Sequence, residues 1–89
     1  MPGDDGQLLE FPCDFPIKMM GRDREDFHAL ARSLVEQHTG PVADEAVRTA
    51  ASRNGRFVSV TITIRAESQA QLDAIYMDLS ANDDVLVAL

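Results

Sequence analysis

The chain is short of the features that would staple it, anchor it or make it basic. It has one cysteine, Cys13, so no disulfide can close within it, whereas small secreted domains usually depend on such bridges. The compartment expected from this is the reducing cytoplasm. Tryptophan is absent and aromatic residues make up only 6% of the sequence, which leaves little from which to build a base-stacking platform. No apolar run approaches the roughly 18–20 residues of a membrane span. Residues 1–7 (MPGDDGQ) show neither the basic nor the apolar region of a signal peptide. Basic residues number 8 against 15 acidic ones, for a net charge of −7. Phosphate backbones and anionic membranes both call for cations, so the expected partners include no nucleic acid and no membrane. No P-loop, GxGxxG or GxSxG occurs, so no phosphate cradle, dinucleotide turn or nucleophile elbow is expected. No cofactor is expected either.

What is present suits one small domain. The 89 residues are 45% hydrophobic and 26% charged, ordinary values for a globular chain. A chain of this mass buries roughly 9,000 Å² on folding, enough for a single modest core. Residues 1–7 are expected to form a disordered leader and 8–89 the domain.

Apolar periodicity orders the domain. Phe15, Ile17 and Met19 alternate with Pro16, Lys18 and Met20, predicting a strand over 15–20 in which Pro16 marks an edge or a strand opening. Phe27, Leu30, Ala31, Leu34 and His38 recur at helical spacing behind a cap at Asp23, and Gly40-Pro41 stops that helix. Asn54-Gly55 is a strong hairpin signal. Before it, 43–51 is alanine-rich, yet a hairpin requires a strand there. After it, 57–64 (FVSVTITI) alternates cleanly. Ser68 and Gln71 form a capping box for a second helix with its stripe at Leu72, Ile75, Tyr76 and Leu79, and 85–89 (VLVAL) reads as a last strand.

The order β-α-β-β-α-β with two single-striped helices predicts an α+β ferredoxin-like sandwich. Two helices cover one face of a four-stranded antiparallel sheet. Right-handed crossovers place the first and third strands in the centre. The expected core is Ile17, Phe27, Leu30, Leu34, Val58, Val60, Ile62, Ile64, Leu72, Ile75 and Leu79. The other sheet face then shows Lys18, Met20, Ser59, Thr61, Thr63 and Arg65.

The segments LEFP at 9–12, FPIKMMG at 15–21, SVTIT at 59–63, QLDAIYMDL at 71–79 and VLVAL at 85–89, in this order and spacing, resemble the YbeD-like family of small bacterial proteins. The resemblance covers 8–89. It implies a fold similar to the ACT regulatory domain, a module that often binds amino acids and associates through its sheets. Its ligand commonly sits at the loop between first strand and first helix. Here that loop is Gly21, Arg22, Asp23 and Arg24, without the proline that usually stands beside the glycine.

These four residues are the candidate ligand site, because free N–H groups at a helix start and two arginines attract anions. Lys18, Met20, Ser59, Thr61 and Thr63 are the candidate interaction surface for a homodimer or a protein partner. Two histidines ten residues apart, His28 and His38, stand too far apart on a helix to share a metal, and His38 is expected to cover the helix C-terminus. Cys13 reads as a half-buried thiol in an irregular segment. The function expected is a non-catalytic regulatory or interaction module, not an enzyme. The alternative is a small acylphosphatase-like hydrolase, with Arg22 or Arg24 on the phosphate and Asn54 orienting water.

Overall fold

The computed structural model describes residues 9–23, 26–52 and 54–89. The expected leader at 1–7 lies outside the described residues, as do Arg24, Glu25 and Arg53. Strand β1 spans Cys13–Arg22, helix α1 Phe27–Thr39, β2 Val47–Ala51, β3 Phe57–Ala66, α2 Gln69–Ala81 and β4 Val85–Ala88. A single 3-10 turn, Asp44–Ala46, leads into β2. The strands form one sheet in the order β2-β3-β1-β4, every neighbour antiparallel. The predicted architecture and central pair are therefore present.

Register sets the core. Ile17 pairs with Ile62 and Met19 with Val60; all four are fully buried, together with Phe27, Ala31 and Val35 of α1 and Leu72, Ile75 and Leu79 of α2. The alternating residues of a strand point to opposite faces, so the other set is left on the far side of the sheet.

Several local expectations change. Helix α1 begins at Phe27 behind Asp26, not behind Asp23, and Asp26 makes no side-chain cap. Its buried line is Phe27, Ala31 and Val35, while Leu30, Leu34 and His38 lie half-buried along its flank. The predicted spacing was helical, but tertiary contact rotated the helix toward its i, i+4, i+8 line. Residues 44–46 are a turn, so β2 is shorter than predicted. The hairpin closes between Ser52 and Phe57, where the Ser52 amide donates to the Phe57 carbonyl at 2.8 Å. Gly55 alone among the described residues there has a positive φ, 73°, so this is not the two-residue turn that Asn54-Gly55 suggests.

Pro16 is no strand opening; it lies within the ten residues of the central strand β1. The position is tolerated because β1 faces an edge there. Lys18, of the same parity, exchanges both backbone bonds with Leu89 on the β4 side, at 3.2 and 2.7 Å. The N–H that Pro16 lacks would point to that same side, past the end of β4.

The connection from α1 to β2 is held by one cluster. Arg32 reaches Glu36 at 3.2 Å, Asp44 at 2.8 Å and the Val42 carbonyl at 2.5 Å. The Val42 amide donates to Glu36 at 2.9 Å. The Val42 bond, with the Arg32 guanidinium, holds the Glu36 carboxyl below its ordinary value. His38 stands in the last turn of α1, as expected, and its Nε2 meets Asp78 Oδ2 of α2 at 2.5 Å, so it also pairs across the helices. Gln71 completes the junction. Its amide donates to Ser68 Oγ at 3.1 Å, its Oε1 accepts from the Glu67 amide at 2.7 Å, and its Nε2 donates to the His38 carbonyl at 3.1 Å. One side chain thus helps satisfy the start of α2 and the end of α1.

Gly21 closes β1 in a place with no room for a side chain. A Cβ there would lie 2.3 Å from Phe27 Cε1 and 2.7 Å from the Asp84 carbonyl oxygen. Gly21→Ala is expected to cost about 1–3 kcal/mol through overpacking, read as a lowered denaturant midpoint. Combined with Phe27→Leu, part of that cost should be recovered; a double-mutant cycle without coupling would contradict this account. Glu36→Gln is expected to lower Tm at neutral pH. Because the folded value of this carboxyl lies below the unfolded one, the stabilisation is complete above about 4.5 and is lost as pH falls through the folded value. The gap between variant and wild type should therefore close in acid, and a gap constant from pH 7 to acid would refute the role given to this carboxylate.

Candidate interaction face

The sheet face opposite the helices can be assembled row by row from the register. Ala50, Ser59, Met20 and Val87 form one row, since Ala50 pairs with Ser59, Ser59 with Met20 and Met20 with Val87. Arg48, Thr61 and Lys18 form the next, and Leu89 extends it through its backbone bonds to Lys18. Thr63 then faces Pro16, Arg65 faces Asp14, and at the other end Phe57 faces Arg22. The predicted surface residues Lys18, Met20, Ser59, Thr61 and Thr63 are thus brought together. Ser59 and Thr61 are half-buried among their neighbours, and Ser59 Oγ donates to the Ala50 carbonyl at 3.4 Å.

No helix covers this side, and apolar side chains remain in the open. Met20 is 38% exposed, Val87 43% and Leu89 70%, adjacent across β1 and β4. Between Met20 and Gly21 the pairing with β4 shifts by a bulge. Tyr76 of α2 fixes the end of β4 from the helix side, its hydroxyl donating to the Leu89 oxygen at 2.6 Å; burial pushes its phenol up. A recess of about 90 Å³ lies on the open face, bounded by Met20, Ala50, Ala51, Phe57 and Ser59.

Charge is divided between the strands and the rest of the chain. The four strands carry Lys18, Arg22, Arg48 and Arg65 against one carboxylate, Asp14, so their sum is +3. With a chain total of −7, the remainder must carry −10. Asp14 is already engaged by Arg65 at 3.4 Å. Among the described residues, Lys18, Arg22 and Arg48 have no carboxylate in ion-pair range.

Other candidates are placed as follows. Gly21 and Arg22 belong to β1 and not to the predicted strand–helix loop, and Gly21 is buried under the Phe27 ring. Arg22 is exposed on the sheet beside Phe57. The Asp23 amide donates to the Arg56 carbonyl at 2.9 Å, prolonging the β1–β3 ladder. Arg24 lies outside the described residues. Asn54 Oδ1 accepts from Ser52 Oγ at 3.2 Å and from the Arg56 amide at 3.4 Å. Cys13 is half-buried, but it opens β1 opposite Ala66 and is not in an irregular segment. Among the described residues, no three His, Cys, Asp or Glu side chains are grouped to hold a metal, and no helix is long and apolar enough to cross a membrane. A second cleft, about 280 Å³, lies between the 39–46 connection and the start of α2; its Gln71 and Thr39 side chains are engaged in the bonds of the helix ends.

Sequence reasoning missed Arg48, Val87 and Leu89. Each follows from strand parity once the register is known. The sequence signal for β2 was too weak to assign Arg48 a face, and the single-residue bulge in β4 hid the parity of Val87.

A family model described as "Protein of unknown function (DUF493)" matches residues 6–89. A UPF0250 protein of Nitrosomonas europaea is 39% identical over 82 residues, 92% of this chain and 94% of the relative. One from Paraburkholderia phytofirmans is 42% identical, over 92% of each chain. A third, from Chromobacterium violaceum, is 36% identical over the full length of both. The solution structure of protein HP0495 from H. pylori superposes with a TM-score of 0.72 at 19% identity, covering 100% of this chain and 94% of that one; at that identity the likeness concerns the fold. The chain belongs to the DUF493/UPF0250 family, the YbeD-like small bacterial proteins.

Proposed function

We propose that this protein is a non-catalytic interaction module that engages a protein partner through its open sheet face. The observation that carries this reading is the uncovered face itself. Exposed aliphatic side chains, Met20, Val87 and Leu89, lie beside Lys18, Arg22 and Arg48, which no carboxylate among the described residues pairs with. Apolar surface rimmed by charge is the composition of a contact surface. The strand–helix loop receives less support as a ligand site, because the Phe27 ring fills the space over Gly21 and the Asp23 amide is taken up by Arg56.

Photo-crosslinking residues placed singly at Met20 and Thr63, and on the helix side at Ser33 and Met77, test the reading in the bacterium that makes the protein. Adducts are expected from the sheet positions. Adducts from the helix positions alone would refute it. In a second measurement, acetyl phosphate is expected to hydrolyse no faster with the protein than in buffer, and Arg22→Ala should change nothing. A protein-dependent rate that falls on Arg22→Ala would replace this reading with the hydrolase.

A further inference from the structure

We infer that the partner's contact segment is acidic with interspersed aliphatic residues. Its carboxylates meet Lys18, Arg48 and Arg22, and one of its aliphatic side chains enters the recess between Met20, Ala50 and Phe57. This rests on the proposed use of the sheet face and adds the chemistry of the occupant.

Three observations carry it. The strands hold +3 in a chain of −7, so the face is complementary to carboxylates although the protein as a whole is acidic. The recess, about 90 Å³, is well under the roughly 300–1,000 Å³ of small-molecule pockets, and suits one inserted side chain rather than a metabolite. Lys18 and Arg48 stand in one row on either side of Thr61, about 10 Å apart at two strand spacings, so two carboxylates can be met across the strands.

The alternatives fit less well. A second copy stacked face to face would set +3 against +3. A nucleic acid would find one aromatic, the half-buried Phe57, on the face and no stacking pair. A phosphate polyanion offers no aliphatic side chain to fill the recess, and vesicles separate an anionic membrane from a peptide. The strands offer a projected area of about 450 Å² at about 3.3 Å per residue and 4.8 Å per strand. That is below the roughly 800 Å² per partner of a standard interface and places the contact in the transient class.

The test uses the full chain, labelled with ¹⁵N, and short synthetic peptides. A peptide of interspersed Glu and Leu is expected to shift the amides of Lys18, Met20, Arg48, Ser59 and Thr61, more weakly as salt is raised. Lys18→Glu combined with Arg48→Glu should weaken that binding by about tenfold or more, with the amide spectrum showing the fold retained. A peptide of Lys and Leu should not bind, and poly-Glu should bind more weakly than the mixed peptide. The inference is overturned if the Glu/Leu peptide shifts no sheet amide, if the Lys/Leu peptide binds as well, or if the charge-reversed variant binds unchanged. Tighter binding to phosphatidylglycerol vesicles or to poly(U) overturns it too, as does a peptide-independent dimer that occludes Met20. If the peptide fails while Met20 still crosslinks to a protein, the interaction module stands and only its acidic partner falls.

Discussion

Ten consecutive residue pairs join β1 to β3, from Cys13 with Ala66 to Arg22 with Phe57. Everything else in the molecule is arranged around that ladder. A one-residue slip of β1 against β3 would send Ile17 and Met19 to solvent and draw Lys18 under the helices. The cost of burying unpaired charge beneath α1 and α2 is what makes the register strict. It is a hydrophobic constraint on one side of the sheet and an electrostatic one on the other. β2 and β4 only extend it, β2 from Val47 to Ala51 and β4 over four residues.

That division explains how an acidic protein carries a basic surface. Three of the carboxylates outside the strands are engaged in ion pairs: Glu36 and Asp44 bind Arg32, and Asp78 meets His38. These three tie α1 to the connection before β2 and to α2. The strands, with a single carboxylate, are left cationic. Net charge alone therefore describes solubility and says nothing of the local field at the sheet.

The end of β1 shows the same priority of packing. A glycine shortly before a helix invites comparison with ligand-binding turns, but Gly21 lies within β1, and its missing side chain makes room for Phe27 and for the backbone at Asp84. The ring so admitted is 1% exposed and begins the buried line of α1. Glycine at this point serves the core and the approach to β4, and its neighbour Arg22 is carried out onto the sheet.

The sequence by itself determined the order of elements, the central pair of strands, the Ser68 cap and the faces of β1 and β3. Each of these is a local pattern: period two, period 3.6, or a turn and cap residue at a set offset. Most of the open sheet face followed from the same alternation at Lys18, Met20, Ser59, Thr61 and Thr63. Only the tertiary structure decided the rest. Helix α1 turns its Phe27–Ala31–Val35 line inward, with Leu30 and Leu34 on the flank, a rotation that its own apolar spacing leaves open. His38 found Asp78, a partner forty residues away, which no local pattern announces. Arg48, Val87 and Leu89 joined the open face because pairing partners, a bulge and a short edge strand set their parity. Those are properties of the assembled sheet, and no single strand contains them.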